Sequence, residues 1–497
     1  MDTSLEVDRI MMDLNQVALP RLVPALDAAF RPAVLWNRAF SAAVSKSGRA
    51  RRCAIALERD SGQIARHELD LFPACEKDEW DQANAFYVER LVKCLLWIKG
   101  GWKITFGGND QVGQMLQRAY GPGGSREFDR KFMGRVYEQD FAVEIVDYAD
   151  VPEAFETTEA IGGHLDGCRI GFDAGGSDRK VAAVMDGKVL FSAETVWHPK
   201  VTADPDYHFA GIMDSILRAA EYLPRIDAIG VSSAGIYINN RAMVASLFLK
   251  VPEDQFEAKV KDIYPRVAEA LGGVPLEVRN DGDVTALAGA ASLNDTNILG
   301  IAMGTSQAGG YADKDGSLTG WLNELSFVPV DYNPQAMADE WSGDYGCGVK
   351  YFSQDAVIKL APAAGIALDE NLTPAEKLSV VQDLLEEGHL GAREIFESIG
   401  VYLGYALAHY AEFYAIKHLL ILGRVTSGRG GSLILEKARK VLKIEFPERN
   451  AIAFHLPDED DRRVGQAITA AGLVPLPRRS GFQSSRREWP RLRPVWC

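Results

Sequence analysis

Hydrophobic and polar positions alternate clearly from Cys168 onward, and there the chain reads as an α/β protein. Cys168–Phe172 predicts a strand, Asp173-Ala174-Gly175-Gly176 a turn, and Lys180–Met185 a second strand. Asp186-Gly187 is a tight-turn signal before a third strand, Lys188–Ala193. Phe209, Ile212, Met213, Ile216, Leu217, Ala220 and Leu223 then fall on one helical face. A strand over Ile226–Ser232 follows, then an amphipathic helix marked by Phe256, Val260, Ile263, Val267 and Leu271, and a strand over Pro275–Val278 that ends at Asn280-Asp281.

The second half restarts this plan. Ile298–Met303 predicts a strand, Gly304-Thr305-Ser306 a turn, and Ala308–Ala312 a return strand. Helices are expected near 374–387 and 392–416, a strand at His418–Leu422, a Gly-rich turn, and a helix from about Leu433 to Leu442. Two strand–turn–strand units, each followed by helix–strand alternation, predict two similar α/β lobes around a cleft. The first 160 residues are harder to read. A hairpin over Ala54–Leu57 and Ile64–Phe72, a helix over Phe86–Ile98 and a strand over Lys103–Phe106 predict a separate α+β domain. The expected division is 1–160 (accessory domain), 161–295 (first lobe), 296–474 (second lobe) and 475–497, an Arg- and Pro-rich tail expected to be disordered.

Charge narrows the function. The 497 residues carry 54 Lys+Arg against 69 Asp+Glu, a net charge of −15, which argues against nucleic-acid and anionic-membrane binders. The first 160 residues are themselves more acidic than basic, unlike a DNA-reading head. No apolar run approaches a membrane span, and the acidic start is not that of a signal peptide. Six cysteines stand apart with no C-x-x-C pair, as in a cytoplasmic protein with reduced thiols. A phosphate-bearing ligand would then be held by backbone N–H groups, helix N-termini or a metal ion.

Four constellations carry candidate chemistry. Asp173 with Gly175, Gly176 and Ser177 closes a strand; its glycines let backbone N–H groups approach phosphate, and its Asp is placed to bind Mg²⁺ through water. Gly304, Thr305 and Ser306, with Gly309 and Gly310, repeat those ingredients in the second half without being a Walker A or Rossmann loop. Asn280-Asp281-Gly282-Asp283 joins a strand to a helix expected to start near Val284. Asp283 is the expected N-cap, which leaves Asp281 to take a proton from a substrate hydroxyl and Asn280 to orient it. Gly423 to Gly428 is a strand–helix turn suited to an adenosine.

Taken in order, these motifs resemble the sugar kinase/actin/heat-shock chaperone superfamily, and within it the ROK family of sugar kinases and sugar-responsive repressors, over roughly 168–474. The resemblance implies two actin-like/ribonuclease H-like lobes around a cleft. It implies phosphate loops at Asp173–Ser177 and Gly304–Gly310, adenosine at Gly423–Gly428, a base at Asp281, and a sugar held by Asn280, Glu324 and the loop containing Ser233 and Gly235. It implies ATP and Mg²⁺, a small-molecule sugar partner and a homodimer or higher oligomer. The sequence departs from the family's pattern at three places. Ser177-Asp178 replaces Thr-Lys, with Lys180 two residues on; Phe327 stands where the family has a zinc-ligating His; and the cysteine knuckle is reduced to Gly346-Cys347-Gly348, so zinc is not expected. Phe327, Trp321, Trp341 and Tyr345 suit either sugar stacking or packing. The expectation is an ATP-dependent sugar kinase. The alternatives are a sugar-binding regulator without phosphotransfer, an ATPase that activates a partner enzyme, and, least favoured, an actin-like filament.

Overall fold

The computed structural model describes residues 14, 16–158, 161–457 and 459–476, apart from the side chains of 459–464. The tail expected to be disordered lies, from residue 477, outside the described residues. Among the described residues no helix is long and apolar enough to cross a membrane.

The first part of the chain builds α1 (Ala33–Lys46), β1 (Arg51–Glu58), β2 (Ile64–Leu71), α2 (Asp78–Lys99), β3 (Lys103–Gly107), α3 (Asp110–Ala119), α4 (Glu127–Tyr137) and β4 (Ala142–Val146). Its sheet runs β2-β1-β3-β4, with β1 antiparallel to both neighbours and β3 parallel to β4. The expected hairpin is present, turning at Asp60–Gly62. Helices α1, α3 and α4 were not legible in the sequence.

The first lobe contains β5 (Cys168–Ala174), β6 (Asp178–Met185), β7 (Lys188–Val196), α5 (Pro205–Ala220), β8 (Ala228–Ser233), β9 (Ile236–Ile238), β10 (Arg241–Val244), α6 (Ile263–Ala270) and β11 (Leu276–Asn280). The helix expected across 256–271 is broken, because Pro265 has no N–H to continue it. Phe256–Val260 winds as a π-helical stretch and α6 begins afresh at Ile263. The sheet order is β11-β8-β5-β6-β7, with β5, β8 and β11 parallel and β5-β6-β7 an antiparallel meander.

The second lobe takes in α7 (Asp281–Leu293), which the expected boundary at 295 left with the first lobe but which packs on the strands that follow it, and continues through β12 (Ile298–Met303), β13 (Gln307–Ala312), α8 (Gln354–Leu360), α9 (Pro374–Glu386), α10 (Leu390–Tyr410), β14 (His418–Leu422), α11 (Arg429–Glu445) and β15 (Ala453–His455). Its sheet, β13-β12-β14-β15, repeats the first lobe's plan: an antiparallel hairpin on one side of the leading strand, parallel strands on the other. This is the two-lobed, actin-like α/β architecture.

The last helix, α12 (Glu459–Ala471), returns to the first lobe and lies on β5, β6 and β8. The approach is close because two paired positions are glycine. A β-carbon on Gly171 would stand 1.7 Å from the Ala467 carbonyl oxygen, and one on Gly230 1.6 Å from that of Ala470. Helices α7 and α12 meet between the two sheets, where the Gln466 amide donates to Thr285 Oγ1 at 2.8 Å.

The first lobe has a core of its own, from Ile170 and Phe172 to Val267 and Val278. The N-terminal part has its own sheet, but its core is continuous with that of the second lobe. Trp36 packs edge-on to Tyr332, and Phe30 sits among Tyr351, Tyr402 and Tyr405.

Candidate active site

The first Gly turn opens at the end of β5. Asp173 is buried; Ser232 Oγ donates to its Oδ1 at 2.7 Å, and Lys180, its cross-strand neighbour, places Nζ 3.9 Å from Oδ2 and 3.0 Å from Asp178 Oδ1. Burial pushes the Asp173 carboxyl up to about 6, against the pull of Lys180 and Ser232. With one oxygen bonded to Ser232 and the other facing an ammonium, Asp173 does not fit the water-mediated Mg²⁺ role expected of it. Gly175 accepts from Trp197 Nε1 at 2.8 Å, while Ser177 is exposed at the turn's tip. Lys200 lies against Gly176, its Nζ 2.9 Å from where a β-carbon on that residue would stand, and has no ion-pair partner among the described residues. No motif in the sequence marked it.

In the second turn Thr305 and Ser306 are exposed, and Gly304 N–H donates to the Ser306 carbonyl at 2.9 Å. Gly309 and Gly310 have a different task from the expected phosphate contact. A β-carbon on Gly310 would stand 2.0 Å from the Gly282 carbonyl oxygen, and one on Gly309 2.6 Å from that of Asn323. Gly310 lets the first turn of α7 lie on β13, and Gly309 lets the Asn323–Leu325 segment do so. Gly423 (φ 100°) and Gly428 (φ 61°) bracket the third turn, which bounds a cavity of about 1130 Å³ together with Lys180, Arg424, Ser427 and Gln466.

Between the first two turns stands the start of α7. Asn280, not Asp283, caps it: Asn280 Oδ1 accepts from Gly282 N–H at 2.8 Å, and its Nδ2 donates to the Gly235 carbonyl at 2.7 Å. The Asn280 amide thus holds the turn with one N–H and one acceptor position, and keeps a second of each. Ser233 is likewise occupied, accepting from the Tyr264 hydroxyl at 3.0 Å and 2.6 Å from that of Tyr237. Asp283 accepts from Asn323 Nδ2 at 2.9 Å and is pushed up to about 7, mainly by burial. Asp281 is also raised by burial, opposed by its own helix turn and by the charge of Lys200.

Glu324 completes a carboxylate group. It is pushed up to about 7 by burial and then by the charges of Asp281 and Asp283. Its position comes from the N-terminal part of the chain: the N–H groups of Asn323 and Glu324 donate to the carbonyls of Ile98 and Trp97, both at 2.9 Å. A helix leaves its last carbonyls without partners, and here the end of α2 meets that need with the Glu324 segment. Phe327 stacks on Trp97 at 4.1 Å between centroids, and Lys99 lies 4.1 Å over the Trp321 ring. Tyr345 lies under Arg90, while Trp341 is half exposed. Three of these four aromatic side chains thus pack on the N-terminal domain.

No protein-family model and no curated protein matches the sequence. Among the solved structures similar to it are ROK-family sugar kinases and a ROK-family regulator. They include a ROK hexokinase from Thermus thermophilus, at 18% identity and TM-score 0.48 over 61% of this chain and 96% of that one. A ROK-family glucokinase from Streptomyces griseus, in complex with glucose and AMPPNP, matches at 20% identity and TM-score 0.46 over 61% of this chain and 98% of its own. A ROK-family transcriptional regulator, a homolog of the E. coli MLC protein, matches at 19% identity and TM-score 0.47 over 62% of this chain and 78% of its own.

Proposed function

We propose that the chain is a nucleotide-dependent kinase that phosphorylates a hydroxyl of a small sugar. The observation that carries this reading is the start of α7 beside the first Gly turn: Asp281 is a half-buried carboxyl at a helix N-terminus whose proton affinity is raised by burial and lowered in part by the charge of Lys200, and Lys200 lies against Gly176 of that turn. A base needs a raised pKa to accept a proton near neutrality, and a transferring phosphoryl group needs fixed positive charge beside it.

In this reading ATP, a substrate, supplies the γ-phosphoryl group. Its adenosine lies in the large cavity beside Gly423 and Ser427, and the N–H groups of Gly175–Ser177 and Gly304–Ser306 meet the phosphates. Asp281 takes the proton of the attacking hydroxyl. Glu324 orients the sugar, held at its post by the end of α2. Lys180 and Lys200 supply positive charge, while Asn280 fixes the turn on which Asp281 stands. No step is assigned to a metal at Asp173.

One observation favours a second reading, a sugar-binding regulator without phosphotransfer: Lys180 stands at the carboxylate expected to serve the metal. ATP consumption across a panel of hexoses, N-acetylhexosamines and polyols, with product detection, decides between them. Phosphorylated sugar is the outcome expected of the kinase. Sugar binding with no turnover on any acceptor would leave the regulator.

A further inference from the structure

One wall of the large cavity beside Gly423 carries the end of a chain of three hydrogen-bonded side chains. Asp295, two residues past the end of α7, meets His418 at the start of β14, and His418 meets His455 at the end of β15. His418 Nε2 lies 3.0 Å from Asp295 Oδ2, and His418 Nδ1 lies 3.0 Å from His455 Nε2. His455 lines the cavity, whereas Asp295 and His418 stand behind it. Among the described residues, no protein group bonds the remaining ring nitrogen, His455 Nδ1.

The chain fixes where its protons sit. Asp295 also pairs with Lys417 Nζ, and Thr296 N–H donates to its Oδ1 at 2.8 Å. Lys417 and then His418 hold its carboxyl far below the usual carboxylate range, so it only accepts. His418 Nε2 must therefore carry a proton. A neutral imidazole has one donor and one acceptor nitrogen, so His418 Nδ1 is an acceptor and His455 Nε2 donates to it. His455 Nδ1 is then left bare, as an acceptor in the cavity wall. Burial, and then the charges of His418 and Arg439, lower the proton affinity of His455 and favour its neutral ring.

The cavity wall around this acceptor suits a flat heterocycle. Leu293, Leu420, Leu456 and Ile468 supply apolar surface. His455 is paired with Leu420 across the sheet, and Gly423 follows three residues later. At about 3.3 Å per residue that is roughly 10 Å, so a nucleoside beside Gly423 can extend its base toward His455. A ring edge that donates would satisfy the bare nitrogen. A carbonyl oxygen there would set two acceptors against each other with no hydrogen between them. We propose that His455 is a specificity-determining residue of the nucleotide site, selecting a purine with a 6-amino group over one with a 6-oxo group, and that Asp295 and His418 are positioning residues that set its tautomer. The inference rests on the kinase reading only for the placement of a nucleotide in this cavity.

The test is calorimetric titration of the full chain at pH 8, where an unperturbed imidazole is neutral. The probes are ADP, IDP and the diphosphate of the 6-unsubstituted purine riboside. The wild type, His455→Phe and His418→Phe are compared, with thermal melts to confirm folding. ADP should bind the wild type about tenfold more tightly than IDP, with the unsubstituted purine between them. His455→Phe should weaken ADP to the level of IDP. His418→Phe leaves His455 free to carry its proton on either nitrogen, so IDP should bind more tightly than it does to the wild type; a loss of packing alone would weaken both nucleotides. Equal binding of ADP and IDP by the wild type, or a preference for ADP that survives in both variants, would overturn the assignment to His455 and leave the nucleotide site standing. Binding of none of the three probes would remove the nucleotide reading itself, and this inference with it.

Discussion

At Asp281 three influences meet. Burial raises its proton affinity, while the N-terminus of α7 and the charge of Lys200 lower it. The net is a carboxyl above its ordinary range. If it is the base, Asp281→Asn keeps the shape but cannot accept the proton, and turnover should fall by about 10²–10⁴-fold while AMPPNP still binds; steady-state kinetics and calorimetry check both. The pH profile is a sharper reading. Turnover should rise with pH through an apparent pKa above the usual carboxylate value of about 4. Removing the opposing charge in Lys200→Ala should move that limb to higher pH. A limb unmoved by Lys200→Ala would separate the two residues. Glu324 gives the opposite kind of test, on stability. Its folded pKa of about 7 lies above the unfolded value, so the folded state holds the extra proton and stability is lost as pH rises from about 4 toward 7. Glu324→Gln removes that loss. Its melting temperature relative to the wild type should therefore be higher at pH 8 than at pH 5, as thermal melts at the two values will show.

At the scale of elements, α7 is held by its cap and by glycine contacts. Asn280→Ala removes the cap and the bond to Gly235, and should cost about 0.5–2 kcal/mol; Asn280→Asp restores the cap acceptor but cannot donate to the Gly235 carbonyl, so it should recover only part of that stability, and denaturant unfolding of the two variants measures the difference. The assignment of the cap to Asp283 failed because Asn280 and Asp283 are both good capping residues, and only the register of β11 decides between them. The Gly-turn hairpins of both lobes were legible because alternation and turn residues agree there. Helix α12 was not: the face it lays on the sheet is Ala467, Ala470 and Ala471, which fits glycine strands but gives little hydrophobic periodicity. Helices α1, α3 and α4 were missed in a region where no motif helped. In the site, the carboxylates and Gly turns could be read from the sequence, whereas Lys200 and the hold of α2 on Glu324 could not. Those contacts join segments far apart in the chain, and no local pattern encodes them.

For the molecule as a whole, the decisive joint is between the N-terminal domain and the second lobe. Besides the shared apolar core it contains six buried or nearly buried charges: Arg90, Lys93 and Arg126 against Glu89, Asp129 and Asp344. Asp344 is the hub. It takes Arg90 at 3.0 Å, Lys93 at 2.6 Å and Arg126 at 2.8 Å, three cations from the N-terminal domain on one carboxylate of the second lobe. It stands three residues before Cys347, in the segment where the resemblance leads to a zinc knuckle, so ion pairing fastens this segment to the N-terminal domain. Removing one partner of a buried ion group leaves the others uncompensated, at a typical cost of about 3–5 kcal/mol. Asp344→Ala should therefore lower the melting temperature, and it should loosen α2 and the backbone that holds Glu324, so that acceptor affinity falls with stability. The acid limb of unfolding provides the signature. The three cations hold the Asp344 carboxyl far below its usual range. Its stabilisation is present above the unfolded pKa of about 4 and is lost as pH falls below it. Asp344→Asn keeps the size and some of the hydrogen bonds but has no proton to gain there, so its stability should fall less steeply than that of the wild type between pH 4 and pH 2. Parallel curves for the two proteins in that range would mean that the six-charge group is not what joins the N-terminal domain to the second lobe.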